Sequence, residues 1–316
     1  VVIGIGYLFF SKKDDVITPV AVEKITVAQT SDFFLYVPLY IAQDKGFFNE
    51  QGLNVTIVSA GGDEKAFASL ISGDAQFAVG DPTFVAIAGE KGQPGTVVGA
   101  LLNGVPFWGI ADKPNIPIIE NPGQLGTYSV ATFPAPSTAY TLQKRMFESM
   151  QLKPNIKETA FGALISALKN GSVDIALELE PNVSLAVKNG SRIVYSLSQY
   201  YPDFAVTGVT VLPSYIQSNP QTIQKFINAL QQADTFIRTN PAEAANLLTK
   251  RFTDVPEDVA VAALNNTIAA NVIPQNLVTS KAAWDTAAQL RRNAGDLKQQ
   301  ALFETYVDNS FAEKAK

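Results

Sequence analysis

The chain of 316 residues contains no cysteine and no histidine. Without cysteine there are no disulfides, no thiolate nucleophile and no sulfur ligand for zinc or iron. Without histidine the usual general base is missing, and with it every Ser-His-Asp or Cys-His arrangement and nearly all catalytic zinc sites. Basic residues are outnumbered, 24 against 29 acidic, and the net charge of −5 removes the general attraction that nucleic-acid binders use. A dinucleotide fingerprint, a P-loop, a nucleophile elbow, an EF-hand loop and a zincin helix are all absent from the folded part. No catalytic residue, metal, cofactor or nucleic-acid partner is therefore expected. What is present is 47% hydrophobic residues, enough for substantial cores, in a length that suggests about two domains.

One uncharged apolar run, VVIGIGYLFF, opens the chain and passes straight into SKKDD. Ten residues do not span a bilayer, but the chain begins at Val1 without an initiator Met, so the run reads as the remnant of a longer anchor or signal. A buried strand is the alternative; Gly4 and Gly6 weaken it. No small-residue cleavage site follows, which favours an uncleaved helix, with the polar Ser11 to Val20 segment as a tether. Residues 1–22 are thus expected to hold a domain outside the cytoplasmic membrane, although Lys12 and Lys13 run against the positive-inside tendency for that orientation.

From Lys24 onward short β-rich runs alternate with longer helical patterns, the mark of open α/β layers. Strands are predicted at Ile25 to Gln29, Leu53 to Val58, Phe77 to Gly80, Thr96 to Leu102, Thr127 to Ala131, Ile175 to Leu179 and Val206 to Leu212. Helices are predicted between them, stopped by Gly46, Gly73, Gly92 and Gly190. In the helical C-terminal third, Ile223, Phe226, Ile227, Leu230, Ala233 and Ile237 share one apolar face of about 100°. An internal echo links Ala68–Pro82 (ASLISGDAQFAVGDP) with Ala167–Pro181 (ALKNGSVDIALELEP): helix, Gly cap, two residues, a polar residue, then a buried strand. Gly73 matches Gly171 and Gln76 matches Asp174. Chance likeness of two helix-strand units stands beside the reading that the chain holds two similar lobes with a cleft between them.

The run YVPLYIAQDKGFFNEQGLNVTIV (36–58) resembles the opening of extracytoplasmic solute-binding proteins of the nitrate/sulfonate/taurine and thiamine-pyrimidine-precursor (NMT1-like) family. GGDEKAFASLISGDAQFAVGDP, EKGQPGTVVGAL, NPGQLGTYSVATFPAPST and GSVDIALELEPNVSLAVKNG are similar, in the same order, to that family's later motifs, so the resemblance covers roughly Ile25 to Gly190. It implies a bilobed type II periplasmic-binding-protein fold, α/β, with two open mixed-sheet lobes joined by two crossover strands. The crossings are expected near Phe107 to Ala111 and Ala205 to Gly208, giving lobe 1 as 23–107 plus 209–316 and lobe 2 as 108–208. It further implies a monomer that captures a small-molecule solute and delivers it to the permease subunits of an ABC importer.

In such α/β lobes ligands sit beyond the C-terminal ends of the strands. The candidate ligand-binding residues are then Ser31, Asp32, Phe33 and Tyr36, Gly61 and Gly62, Asp81 and Thr83, the crossing residue Phe107, Phe133, Ser137 and Thr138, and finally Glu178 and Glu180. Gly61-Gly62 and Ser137-Thr138 each precede a helix, whose free N–H groups suit a polar or anionic atom; an ordinary N-cap role for Ser137 and Asp63 is the competing explanation. Glu180 in turn has a purely structural reading within its motif, which leaves Glu178 as the less expected carboxylate. None of these loops carries Arg or Lys apart from Lys65, whereas Phe33, Phe34, Tyr36, Phe107, Trp108 and Phe133 cluster there, with Phe34 and Trp108 the expected core members. That balance favours a neutral or weakly cationic aromatic or heterocyclic solute, akin to a pyrimidine precursor, over a sulfonate- or nitrate-type anion. The alternatives to import are a ligand-sensing domain without a transporter and an enzyme on the same fold. Relatives that make the thiamine pyrimidine use an essential His and clustered Cys, and this chain has neither.

Overall fold

The computed structural model describes residues 22–135 and 137–316. The expected N-terminal anchor therefore lies, apart from Val22, outside the described residues. Among those residues no helix is long and apolar enough to cross a membrane.

Among the described residues ten strands run in chain order: β1 (Glu23–Gln29), β2 (Leu53–Ser59), β3 (Phe77–Gly80), β4 (Thr96–Leu102), β5 (Trp108–Ala111), β6 (Val130–Thr132), β7 (Ile156–Glu158), β8 (Ile175–Glu178), β9 (Arg192–Ser196) and β10 (Thr207–Val211). They form two five-stranded sheets, ordered β2-β1-β3-β10-β4 and β7-β6-β8-β5-β9. In each sheet the first three strands are parallel, with Val27 beside Ile57 and Phe77 in one and Val130 beside Ile156 and Ile175 in the other. The fourth member in space is antiparallel and is the strand that has just crossed from the other lobe, β10 in sheet 1 and β5 in sheet 2. This is the bilobed mixed-sheet architecture that the resemblance implies.

The echo between the lobes has a structural basis. Gln76 and Asp174 both precede the third parallel strand of their sheet. The Gln76 side-chain oxygen accepts from the Thr26 N–H at 2.8 Å, and an Asp174 carboxylate oxygen accepts from the Ser129 N–H at 2.9 Å. Each thus stitches the third strand to its middle neighbour, β1 or the start of β6, and the glycine three residues earlier takes a positive φ, +82° at Gly73 and +74° at Gly171, that L side chains avoid.

Helices cover both faces of sheet 1. Ile25, Val27 and Phe77 pack under helices Val37–Asp44 and Pro220–Thr239, where Phe226 stacks between Phe48 and Phe77 with centroids 4.9 and 4.1 Å away. All six residues of the apolar stripe from Ile223 to Ile237 are buried. Ala28 and Ala78 on the opposite face pack under helices Asp63–Ser72 and Lys281–Ala294 through Ala66, Phe67, Trp284 and Ala288. Because Trp284, Ala288 and Arg291 follow helical spacing, anchoring the first two on the sheet aims the third toward the strand ends.

Three expectations need correction. The strand expected from Thr127 begins at Val130, because Asn121 caps a 3₁₀ turn over Pro122–Thr127, accepting from the Gly123 N–H at 2.7 Å. β7 and β9 add strands that apolar patterning did not single out; β7 is three residues long and mostly exposed.

Candidate functional site

The C-terminal ends of the parallel strands in both sheets meet at one inter-lobe cleft of about 660 Å³. Of the residues expected from the sequence, the cleft brings together Phe33, Tyr36, Gly61, Gly62, Asp81, Phe107, Phe133, Ser137 and Thr138. Hollows of about 500 and 750 Å³ lie elsewhere, one beside Trp108 and one against helix Thr138–Ser149.

On the lobe 1 side the wall is a polar network. Thr30, just past β1, donates its hydroxyl to Asp63, whose carboxylate also accepts from the Asp81 N–H at 3.0 Å. Gly61 and Gly62 lead into helix Asp63–Ser72 with φ of +82° and +157°, a path only glycine follows cheaply. A Cβ on Gly80 would lie 2.5 Å from the Asp63 oxygen, so the close approach of β3 to that carboxylate requires glycine. Burial, reinforced by nearby Asp81, pushes the Asp63 carboxyl above the usual range. Asp81 in turn accepts from the Thr83 N–H and hydroxyl, at 2.8 and 2.6 Å, and from the Arg291 guanidinium.

Arg291 is the residue that the loop inventory missed. It comes from helix Lys281–Ala294, and its side chain, 12% exposed, pairs with Asp81 and, at 3.1 Å, with Asp296. The Asp81 carboxylate holds its proton affinity above even the ordinary arginine value, so it stays charged and internally neutralised. Lys65 is the other cation on the wall, and it has no ion pair among the described residues. The lining as a whole carries three acids, Asp63, Glu64 and Asp81, against these two bases.

On the lobe 2 side the wall is mainly aromatic. Phe133 follows β6, and Ser137 caps helix Thr138–Ser149, its oxygen accepting from the Tyr140 N–H at 3.2 Å. Phe161, which no expectation included, stacks on Phe133 with centroids 4.6 Å apart and an interplanar angle of 16°. It also meets Phe33 of lobe 1 at 5.8 Å, and Phe33 meets Tyr36 edge-on at 5.6 Å. Phe107, entering the crossing, lies 6.3 Å from Phe133. An unbroken aromatic chain therefore runs from Tyr36 across the mouth to Phe107.

Five expected residues do not line the cleft. The Ser31 carbonyl accepts from the Phe33 N–H at 2.9 Å within its turn. Asp32 is exposed, and its carboxylate accepts from the Gln29 amide at 2.6 Å. Thr83 is buried beneath Asp81. Glu178 is 1% exposed and turned into lobe 2, where burial lifts its carboxyl to about 7 although the Leu179 N–H donates to it at 2.9 Å. β8 ends at Glu178, so strand alternation does not extend to Glu180; Leu179 reaches the cleft instead. Glu180, 3% exposed, accepts from the Ser184 N–H and hydroxyl and from Asn266 at 2.7 Å. It is a tie across the inter-lobe seam, seconded by the Lys188–Asp258 ion pair at 2.6 Å. Phe34 and Trp108 lie in the core, as expected. Among the described residues no group of three or more acidic side chains is arranged to hold a metal ion.

A family profile described as NMT1/THI5 like matches residues 34–244. The chain belongs to this family. YtlA of Bacillus subtilis (strain 168), provisionally named a binding protein, is 22% identical over 99% of this chain and 95% of its own length. A Saccharomyces cerevisiae 4-amino-5-hydroxymethyl-2-methylpyrimidine phosphate synthase, THI13, is 22% identical over 66% of this chain and 65% of its length. Among solved structures, the periplasmic aliphatic sulphonate binding protein SsuA of Escherichia coli superposes with a TM-score of 0.73 at 16% identity, covering 90% of this chain and 96% of that one.

Proposed function

We propose that this protein is an extracytoplasmic solute-binding protein that captures a flat, neutral or weakly cationic ring between its lobes and hands it to an ABC permease. The observation that carries the reading is the aromatic chain contributed by both lobes to one solute-sized cleft whose buried guanidinium is neutralised by Asp81 and Asp296. Aromatic faces take a planar ring by offset stacking, and the Thr30–Asp63–Asp81 wall offers acceptors to ring N–H or amino groups. Family membership, the likeness to YtlA along nearly the whole chain and the superposition on a sulphonate-binding protein support the transport role. The synthase relatives do not redirect it to catalysis, because this chain has no His or Cys with which to run that chemistry.

Capture would work by population shift. A solute held on one lobe gains contacts from the other only when the lobes close about the two crossings, the segments 103–107 before β5 and 201–206 before β10, so it favours closure by its difference in affinity for the two states. A second reading, an alkanesulphonate or similar anion, draws on the helix N-termini at Asp63 and Thr138 that face the cleft and on Lys65.

A melting-temperature panel separates the two, using 4-amino-5-hydroxymethyl-2-methylpyrimidine, the compound whose phosphate the synthase relatives are named for, against ethanesulphonate and nitrate. A ligand at 100 times its Kd adds about 2.7 kcal/mol to the folded state. Stabilisation by the aminopyrimidine alone supports the ring; stabilisation by the sulphonate alone overturns it in favour of the anion.

A further inference from the structure

Phe161 stands out because a large apolar ring is left 62% exposed. It sits on the turn between β7 and helix Leu164–Lys169, beside Gly162 at φ +80°. One face of its ring lies on buried Phe133 of its own lobe, while on the other lobe it meets Phe33. Phe33 is itself braced edge-on by buried Tyr36. The Phe33–Phe161 contact thus bridges the lobes at the mouth of the cleft without covalent help.

We propose that Phe161 is the gate of the cleft, the residue whose contact with Phe33 holds the lobes together over the solute space before and after capture. The proposal deepens the solute-binding role above and rests on it. Each lobe supplies one rigidly backed ring, so the contact forms only when the lobes approach, and it costs little to break because Phe161 already faces water. An aromatic pair of this kind shifts an equilibrium by roughly two- to tenfold, enough to set how often the empty cleft is closed without locking it. Opening exposes the Phe133 face that a planar solute would share with Phe161.

The absence of cysteine makes the test direct, since spin labels can be placed on Lys91→Cys in lobe 1 and Lys153→Cys in lobe 2, both exposed. Pulsed electron-electron distance measurements on the ligand-free labelled protein should give a dominant short distance. Phe161→Ala should move roughly two- to tenfold more of the population to longer distances, Phe33→Ala should do the same, and the double variant should add nothing further, because each single change already removes the pair. Phe161→Trp should restore the short distance. Melting temperatures of the Phe161 variants within about 2 °C of the parent confirm that folding is intact, as expected for an exposed position, and a cooperative melt at a lower temperature serves for half-buried Phe33. An unchanged distribution in Phe161→Ala overturns the gate. If the distribution shifts but the aminopyrimidine fails to stabilise the parent protein, the gate stands and the ring solute falls, so the two failures are distinguishable.

Discussion

Both sheets run in the same spatial order, yet the cleft walls they supply are chemically unlike. Lobe 1 contributes Thr30, Asp63, Asp81 and Arg291, half-buried groups that bond mainly to one another. Lobe 2 contributes Phe133 and Phe161, a stacked pair of which one ring faces water. Changes on the two walls should therefore register differently. Groups tied into a buried network report on stability when altered, whereas a half-open aromatic wall reports on what the cleft holds. One architecture, used twice, thus gives a rigid polar floor and an adaptable aromatic lip.

Breaking the lobe 1 network should have the largest effect. Asp81→Ala leaves the Arg291 guanidinium with Asp296 as its remaining partner, and should cost about 3 kcal/mol, the low end for a buried ion pair because both side chains keep some exposure, measured as a shift in urea midpoint at constant slope. Adding Arg291→Met should recover much of that loss, because the stranded charge is gone. Recovery of nothing would mean that the pair is not what holds this wall.

Next comes a pH effect inside lobe 2, away from its aromatic lip. Burial raises the Glu178 carboxyl from 4.5 to about 7, so the folded protein retains a proton that the unfolded chain releases. Its contribution is fully present below about pH 4.5 and is lost as the pH rises through about 7. Glu178→Gln should therefore flatten the decline and gain up to about 3 kcal/mol at pH 8, with little change at pH 4 and none in solute affinity. Chemical melts of both proteins across that range check it; a loss of affinity would return Glu178 to the site.

The smallest effect belongs to Ser137. As an N-cap its removal in Ser137→Ala should cost about 1 kcal/mol, while Ser137→Gly costs a few tenths. Paired melts and titrations then decide whether it also touches solute: equal affinities in all three proteins would confine it to capping.

Much of this architecture was legible because the signals are local. Gly73 and Gly171 close helices by themselves, and the apolar runs of β1, β3 and β4 are long enough to read. The cleft residues that follow those strands were legible for the same reason. Phe161 was not, because β7, with Lys157 and Glu158 in its three residues, carries no apolar pattern, so the turn after it was never counted as a post-strand loop. Recognising β7 as a strand is the signal that would have found it. Arg291 lies 210 residues from Asp81, and a pairing at that distance is set by the packing of Trp284 and Ala288 on sheet 1 rather than by any motif. Glu178 and Glu180 stand at the C-terminal end of β8 as the sequence suggests, but which way their side chains turn is set by burial and partners that no local pattern carries.

The most direct test of the division between the lobes is a calorimetric titration of the aminopyrimidine into the parent protein and into Phe133→Leu, which keeps an apolar side chain but removes the ring. The aminopyrimidine should bind the parent, with an affinity roughly tenfold weaker in the variant, the upper range for an aromatic contact. Equal affinity in the two proteins would contradict it.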